Sequence, residues 1–250
     1  MKGLQFRIDG IFRIIMDLCF YGVTFLFFEL VFLHTSTFGG LVPWQMRIFV
    51  ASYLLVDSLR MALFVDNFDD LRHLVAKGGF DYYLIRPVSS LFLVSFKDVN
   101  PASLFNVFVA GSLLLTTLVI APEKYSFFSY LLFAILLLNG LLVFYLLHLF
   151  TSIIVFWTGS PDGLEPLFYI GKRFAERPHS IYSPLIRGVL LTVIPYGLIA
   201  SVPTEAILSV KTIHQATQFL LTSLSVTVVG CFICRWLWCL ALKNYSSASS

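Results

Sequence analysis

The chain has 250 residues, 58% of them hydrophobic and only 12% charged, with a formal net charge of +3. Mean hydropathy is +0.86. About a quarter of an ordinary soluble domain is charged, so a water-soluble enzyme is excluded, no nucleic-acid partner is expected, and a polytopic protein of the lipid bilayer remains.

A spanning helix needs about 20 mostly apolar residues. Six stretches meet or approach that length: residues 14–33, 48–65, 103–121, 127–157, 185–202 and 217–242. The first is too long for a secretory h-region and is not followed by a small-residue cleavage site, so it is expected to stay as a span. The fourth is long enough to tilt. No β-barrel alternation is present. The predicted fold is therefore all-α, with six transmembrane helices in a single domain. Pro195 inside the fifth stretch and Pro203 at its end predict a kink and a hinge. Residues 204–210 are short and apolar, which suits a dip back into the outer leaflet within an outer element 203–216.

Basic residues set the orientation. With the N-terminus in the cytoplasm, the inner side holds Lys2, Arg7, Arg13, Arg72, Lys77, Arg86, Lys97, Lys172, Arg173, Arg177, Arg187, Arg235 and Lys243, against Arg47, Lys124 and Lys211 outside. Both termini are then cytoplasmic. The longer connections, 66–102 and 158–184, are cytoplasmic too, and long loops carry function more often than short ones.

Phe68, Leu71, Leu74 and Val75 share one helical face, with Asp69, Asp70, Arg72, His73 and Lys77 largely on the others. The second span thus continues as an amphipathic helix beyond the membrane. Gly78 and Gly79 can stop it in a left-handed cap. Residues 80–85 suit a short second helix, and Pro87 disfavours helix at Arg86. Two readings fit: an interfacial loop anchored by Tyr82, Tyr83 and Arg86, or a rigid knob that docks a partner.

Chemistry-bearing motifs are missing. There is no phosphate-binding loop; Gly171-Lys172 is the nearest fragment, with Pro166 where the first glycine belongs and Arg173 in place of Ser or Thr. His34, His73, His148, His179 and His214 are scattered. Cys231 and Cys234 form a C-x-x-C pair, but with Cys19 and Cys239 they lie in or beside apolar runs and read as small buried hydrophobes. No catalytic, cofactor-binding or metal site is predicted. Asp57 and Arg60 lie three residues apart within the second span and share a face; Asp17 and Glu29 sit in or at the ends of the first. Intramembrane charges usually face a bundle interior or a wet path. For Asp57 and Arg60 a helix-packing ion pair is favoured over a translocation path, Asp17 and Glu29 can reach the two interfaces, and a proton-coupled carrier would use such carboxylates too.

Three motifs together resemble a known family. Gly79, Phe80, Asp81, Leu84, Arg86 and Pro87 follow a glycine, hydrophobic, Asp and later Leu-x-Arg-Pro pattern. Residues 177–203 carry Pro-x-Ser-Ile-Tyr, an apolar run with Ile-Pro, and a closing proline. The tail LKNYSSASS adds a basic-Tyr-Ser-Ser-Ala ending. The chain thereby resembles a bacterial subfamily of type-2 ATP-binding-cassette (ABC-2-like) transporter permeases over nearly its whole length. One departure is Gly79, where an acidic residue often stands.

The resemblance implies an exporter permease of the bacterial inner membrane. Gly78, Gly79, Phe80, Asp81, Arg86 and Pro87 would form a coupling element seated in a cytoplasmic ATPase subunit. Two ATPase copies would hold ATP and Mg, none of it bound by this chain. A second permease chain, identical or paralogous, would complete the path. Residues 1–13 would be an amphipathic connecting helix on the membrane surface. An ion-coupled carrier working through intramembrane carboxylates, and a scaffold that transports nothing, remain as alternatives.

Overall fold

The computed structural model describes residues 2–245, and of residues 2–11 and 13 the backbone alone. Met1 and residues 246–250, with the Ser-Ser-Ala ending, lie outside the described residues. Among the described residues there is no strand, apart from one isolated bridge between Phe38 and Leu41.

Helix α1 (Lys2–Phe32) runs unbroken from the expected surface segment into the first span. The amphipathic pattern predicted for residues 1–13 rests on side chains outside the described ones. Helix α2 (Pro43–Arg60) begins with a proline in its first turn, where no N–H is required. It passes through one π-helical turn (Met61–Val65) into α3 (Asp66–Ala76) without interruption. Helices α4 (Asp81–Leu84) and α5 (Ser90–Phe96) are short. Helix α6 (Pro101–Ile120) is capped by Asn100, whose side chain accepts from the backbone N–H of Ala102 and Ser103. Ser126 caps α7 (Phe127–Ile153), and α8 (Val155–Thr158) follows. Then come α9 (Glu165–Ala175), a 3-10 turn (His179–Ile181), α10 (Pro184–Thr192), a second 3-10 turn (Tyr196–Leu198), α11 (Ser201–Ser209) and α12 (Ile213–Asn244).

Among the described residues, five helices are long and apolar enough to cross a membrane: Ile14–Phe32, Pro43–Ala76, Pro101–Ile120, Phe127–Thr158 and Ile213–Asn244. The second is the buried centre, with Ile48, Phe49, Ala51 and Leu54 fully enclosed. The first and last are peripheral, and α12 turns Leu221, Val228, Phe232 and Trp236 outward, as a lipid-facing helix does.

The stretch 185–202, expected as one helix, is divided into three pieces. The backbone N–H groups of Val193 and Ile194 both bond the Val189 carbonyl, at 3.0 Å each, which closes α10 off. Pro195 follows with no N–H to offer, and the chain turns. Pro203 proves to lie in the first turn of α11, where proline is at home. The bend lies directly on α7: a Cβ on Gly140 would stand 2.5 Å from the Ile199 carbonyl oxygen and 3.0 Å from that of Leu198. Gly140→Ala is therefore expected to lower stability by about 1–3 kcal/mol through overpacking. Thermal unfolding in detergent checks this against Gly22→Ala, whose new methyl meets nothing within 4 Å; equal midpoints for the two would refute it.

The stretch 158–184, expected as a loop, carries α9 and lies inside the bundle. Its contacts climb α2 in reverse order. Glu165 accepts from Arg72 at 2.8 Å. Lys172 donates to Asp57 at 2.8 Å. Tyr53 donates to Glu176 at 3.3 Å. Ser180 donates to the Gly39 carbonyl in the loop after α1. Phe168, fully buried, packs on Phe144 and His148 of α7.

Candidate functional site

The knob between α3 and α6 is built around a glycine cap. The Lys77 N–H bonds the His73 carbonyl at 3.1 Å and the Gly79 N–H the Leu74 carbonyl at 2.8 Å. Between them Gly78 takes φ 71°, a conformation that favours glycine. The reversal drops Phe80 into a buried cluster that continues through Phe68 and Leu71 of α3 and Leu149 of α7. Phe80 has no exposed surface. Its ring meets Phe156 edge-on at 5.4 Å, Tyr245 at 5.5 Å and Trp238 at 6.1 Å, and stacks on Tyr83 at 5.8 Å. The knob core is thus shared between α4, α8 and the end of α12.

Asn67 binds the returning strand of chain to α3. Its amide donates to the carbonyls of Leu63, Ser95 and Asp98 at 2.8, 3.3 and 2.7 Å, and its carbonyl accepts from the Asp98 N–H at 3.0 Å. Ser95 and Tyr145 share a 2.8 Å hydrogen bond, tying α5 to α7. The Asp98 carboxylate, joined by that of Asp70, holds the Lys97 ammonium above the usual lysine range.

What protrudes is the tip. Tyr82, Leu84, Ile85 and Val88 are exposed, Ile85 to 79%. Arg86 lays its guanidinium over the Tyr82 ring at 4.2 Å and donates to its hydroxyl. Gly79, Arg86 and Pro87 are exposed beside them, and Asp81 opens α4, half-buried. The predicted coupling residues therefore divide into three: Gly78 shapes the turn, Phe80 fills the core, and the rest are at the surface. Tyr83, read as a headgroup anchor, is buried instead. Ile85, the most exposed of the tip's large apolar residues, was not singled out.

The intramembrane charges form a second constellation. Asp57 and Arg60 are each 2% exposed. One carboxylate oxygen of Asp57 accepts from Arg60 Nε at 2.9 Å and from Nη2 at 2.8 Å; the other accepts from Lys172. Arg60 lies over the rings of Phe144 and Phe168, at 4.9 and 5.4 Å. Lys172 also approaches the Phe20 ring of α1, at 5.8 Å. Asp57 thus meets two cations where α1, α2, α7 and α9 converge. Asp17 is bonded by Asn106 of α6. Glu29 pairs with Arg47 at 2.6 Å, joining α1 to α2 at the ends that flank their connecting loop. Lys172, Phe168 and Glu176 went unrecognised in the sequence.

The sequence matches the description ABC-2 family transporter protein over residues 18–249. The chain belongs to the ABC-2 family. No curated protein and no solved structure matches it. An ABC-2 transporter protein with five long apolar helices is a multi-pass membrane permease. In this permease the loop after α1, α2, the first 3-10 turn, α10 and α11 line a cavity of about 390 Å³, with Gly39, Gln45, His179, Arg187, Ser201 and Glu205 among its walls. His179 Nε2 lies 3.3 Å from Glu205, and Arg187 3.9 Å from the same carboxylate. These contacts lace the end of the α9 segment to both α10 and α11.

Proposed function

We propose that this chain is the membrane-spanning subunit of an ATP-driven exporter in a bacterial inner membrane. Two permease chains, identical or paralogous, enclose the path. Two cytoplasmic ATPase subunits, which hold ATP and Mg, seat on the knobs. The observation that carries this reading is the exposed tip 82–88 mounted on a buried aromatic core at the end of a helix continuous with α2. A mere interfacial loop has no need of an aromatic anchor built into the buried cluster of the bundle. Force applied to the tip passes along α3 to Asp57 and across the Lys172 contact to α9.

The contacts support a topology. We assign the sixth crossing to α9 with its following 3-10 turn, which climbs from the α3 end of α2 to the loop after α1. Helices α10 and α11 then form a hairpin that enters from the outer side, turns against Gly140 and returns. Both termini are cytoplasmic in this arrangement. The carrier alternative loses ground because Asp57 is already engaged by two cations.

The test is co-purification of the tagged chain in mild detergent from its native host, with bound ATPase activity as readout. Wild type should retain the ATPase. Ile85→Asp/Arg86→Ala should lose about nine-tenths of the bound ATPase activity, a tenfold change corresponding to about 1.4 kcal/mol. Its elution profile should be unchanged, since neither residue enters the core. An ATPase that never associates with wild type, or one that ignores the tip substitutions, would sink the reading.

A further inference from the structure

The crossing assigned to α9 sorts its charges by sign. Its acids turn inward: Glu165 binds Arg72, and Glu176 binds Tyr53. Lys172 turns inward as well, to Asp57. Arg173 and Arg177 do the opposite. Both are exposed, and among the described residues neither has a hydrogen-bond or ion-pair partner. Helical spacing puts Arg173 between Tyr169 and Ile170 on the outward face, with Leu167 and Phe174 beside them, all exposed. A guanidinium at this depth, between the level of Asp57 and that of Gly39, is costly against hydrocarbon, and such residues face a wet cavity or protein.

We propose that the outward face of α9 lines the water-filled path between two permease copies and selects amphiphiles with an anionic head. Carboxylate, sulfate and phosphate heads share the chemistry that a guanidinium recognises, two parallel N–H donors and a positive charge. The flanking Tyr169, Ile170 and Phe174 receive an apolar body. A second identical chain doubles the arginines, and Glu176, the nearest acid, is already bonded by Tyr53. The inference rests on the exporter reading for its direction and its second chain, but both of its tests run without ATP or ATPase, so the two can fail separately.

The first test is labelling of the full chain in nanodiscs, with Cys19, Cys231, Cys234 and Cys239 replaced. A membrane-impermeant, charged methanethiosulfonate should modify Arg173→Cys and Arg177→Cys within about tenfold of the rate at Thr35→Cys in the exposed loop. Phe232→Cys, on the outward face of α12, should stay unmodified. Rates as low as those at Phe232→Cys would place α9 against lipid and overturn the proposal. The second test is fluorescence binding of dansyl-undecanoate and its neutral methyl ester to wild type in phosphatidylcholine discs. The anion should bind about tenfold tighter than the ester. Arg173→Gln/Arg177→Gln should erase that preference while keeping the wild-type elution profile. Equal binding of anion and ester, or a preference that survives the double substitution, overturns the proposal. Phosphatidylglycerol discs distinguish the source of the head: unchanged affinity means a free amphiphile is taken, whereas a large drop assigns the arginines to bilayer headgroups and also overturns it.

Discussion

Asp57→Leu is expected to cost about 3–5 kcal/mol and to collapse the yield of folded protein, because removing one partner strands a buried charge. Here it strands two. Arg60 is enclosed, and Lys172 reaches into the bundle only to meet this carboxylate. The companion variant Asp57→Leu/Arg60→Met/Lys172→Met should recover most of the loss, since apolar groups of similar volume often replace a buried ion cluster at little or no penalty. Thermal unfolding in detergent reads both. A single variant as stable as wild type would deny the cluster any structural role. A stable triple variant that binds its ATPase yet transports nothing would show that the ion pairs serve motion.

Phe80→Ala is expected to be nearly as damaging, by about 3–5 kcal/mol, although it lies in a short connection. The truncation opens a cavity among Phe156, Trp238 and Tyr245, all on other elements. The loss should be local: the knob should become a ready site of proteolysis near residues 77–88 while the spans stay intact. Ile85→Ala, at the exposed tip of the same loop, should leave the cleavage pattern unchanged. Limited proteolysis of the three proteins in detergent separates a core from a surface, and identical patterns would remove the case for Phe80 as the knob's anchor.

Much of this architecture could be read from the residues, and the failures share a cause. The five long apolar runs before and after the loops announce themselves because hydrocarbon tolerates little else. The knob was legible through its glycines, the apolar stripe on α3, and Pro87. Helix α9 was not, because Glu165, Lys172, Arg173 and Glu176 give it the composition of a loop. Its buried face is only Phe168 and Ala175, with Lys172 beside them, and the charges become acceptable through Arg72, Asp57 and Tyr53, distant in sequence. No window along one chain reveals such pairing. The converse error occurred at 185–202, where an apolar run suggested one helix. Gly140, on another helix, provides the niche that lets this run bend. Phe80 was assigned correctly to the knob but for its surface, since an aromatic beside a glycine turn reads the same whether it faces a partner or a core.

The aromatic seat of Phe80 draws on Trp238 and Tyr245, which stand at the very end of the described chain. A ribosome delivers them after every other wall of that seat. A nascent chain that has threaded its first four long helices therefore already displays the tip, but on a loose mount. Only when α12 has entered the bilayer does the knob set. On the exporter reading proposed above, docking of the motor is thereby contingent on insertion of α12, and a chain cut short before Trp238 would be passed over by its partner without any separate inspection step.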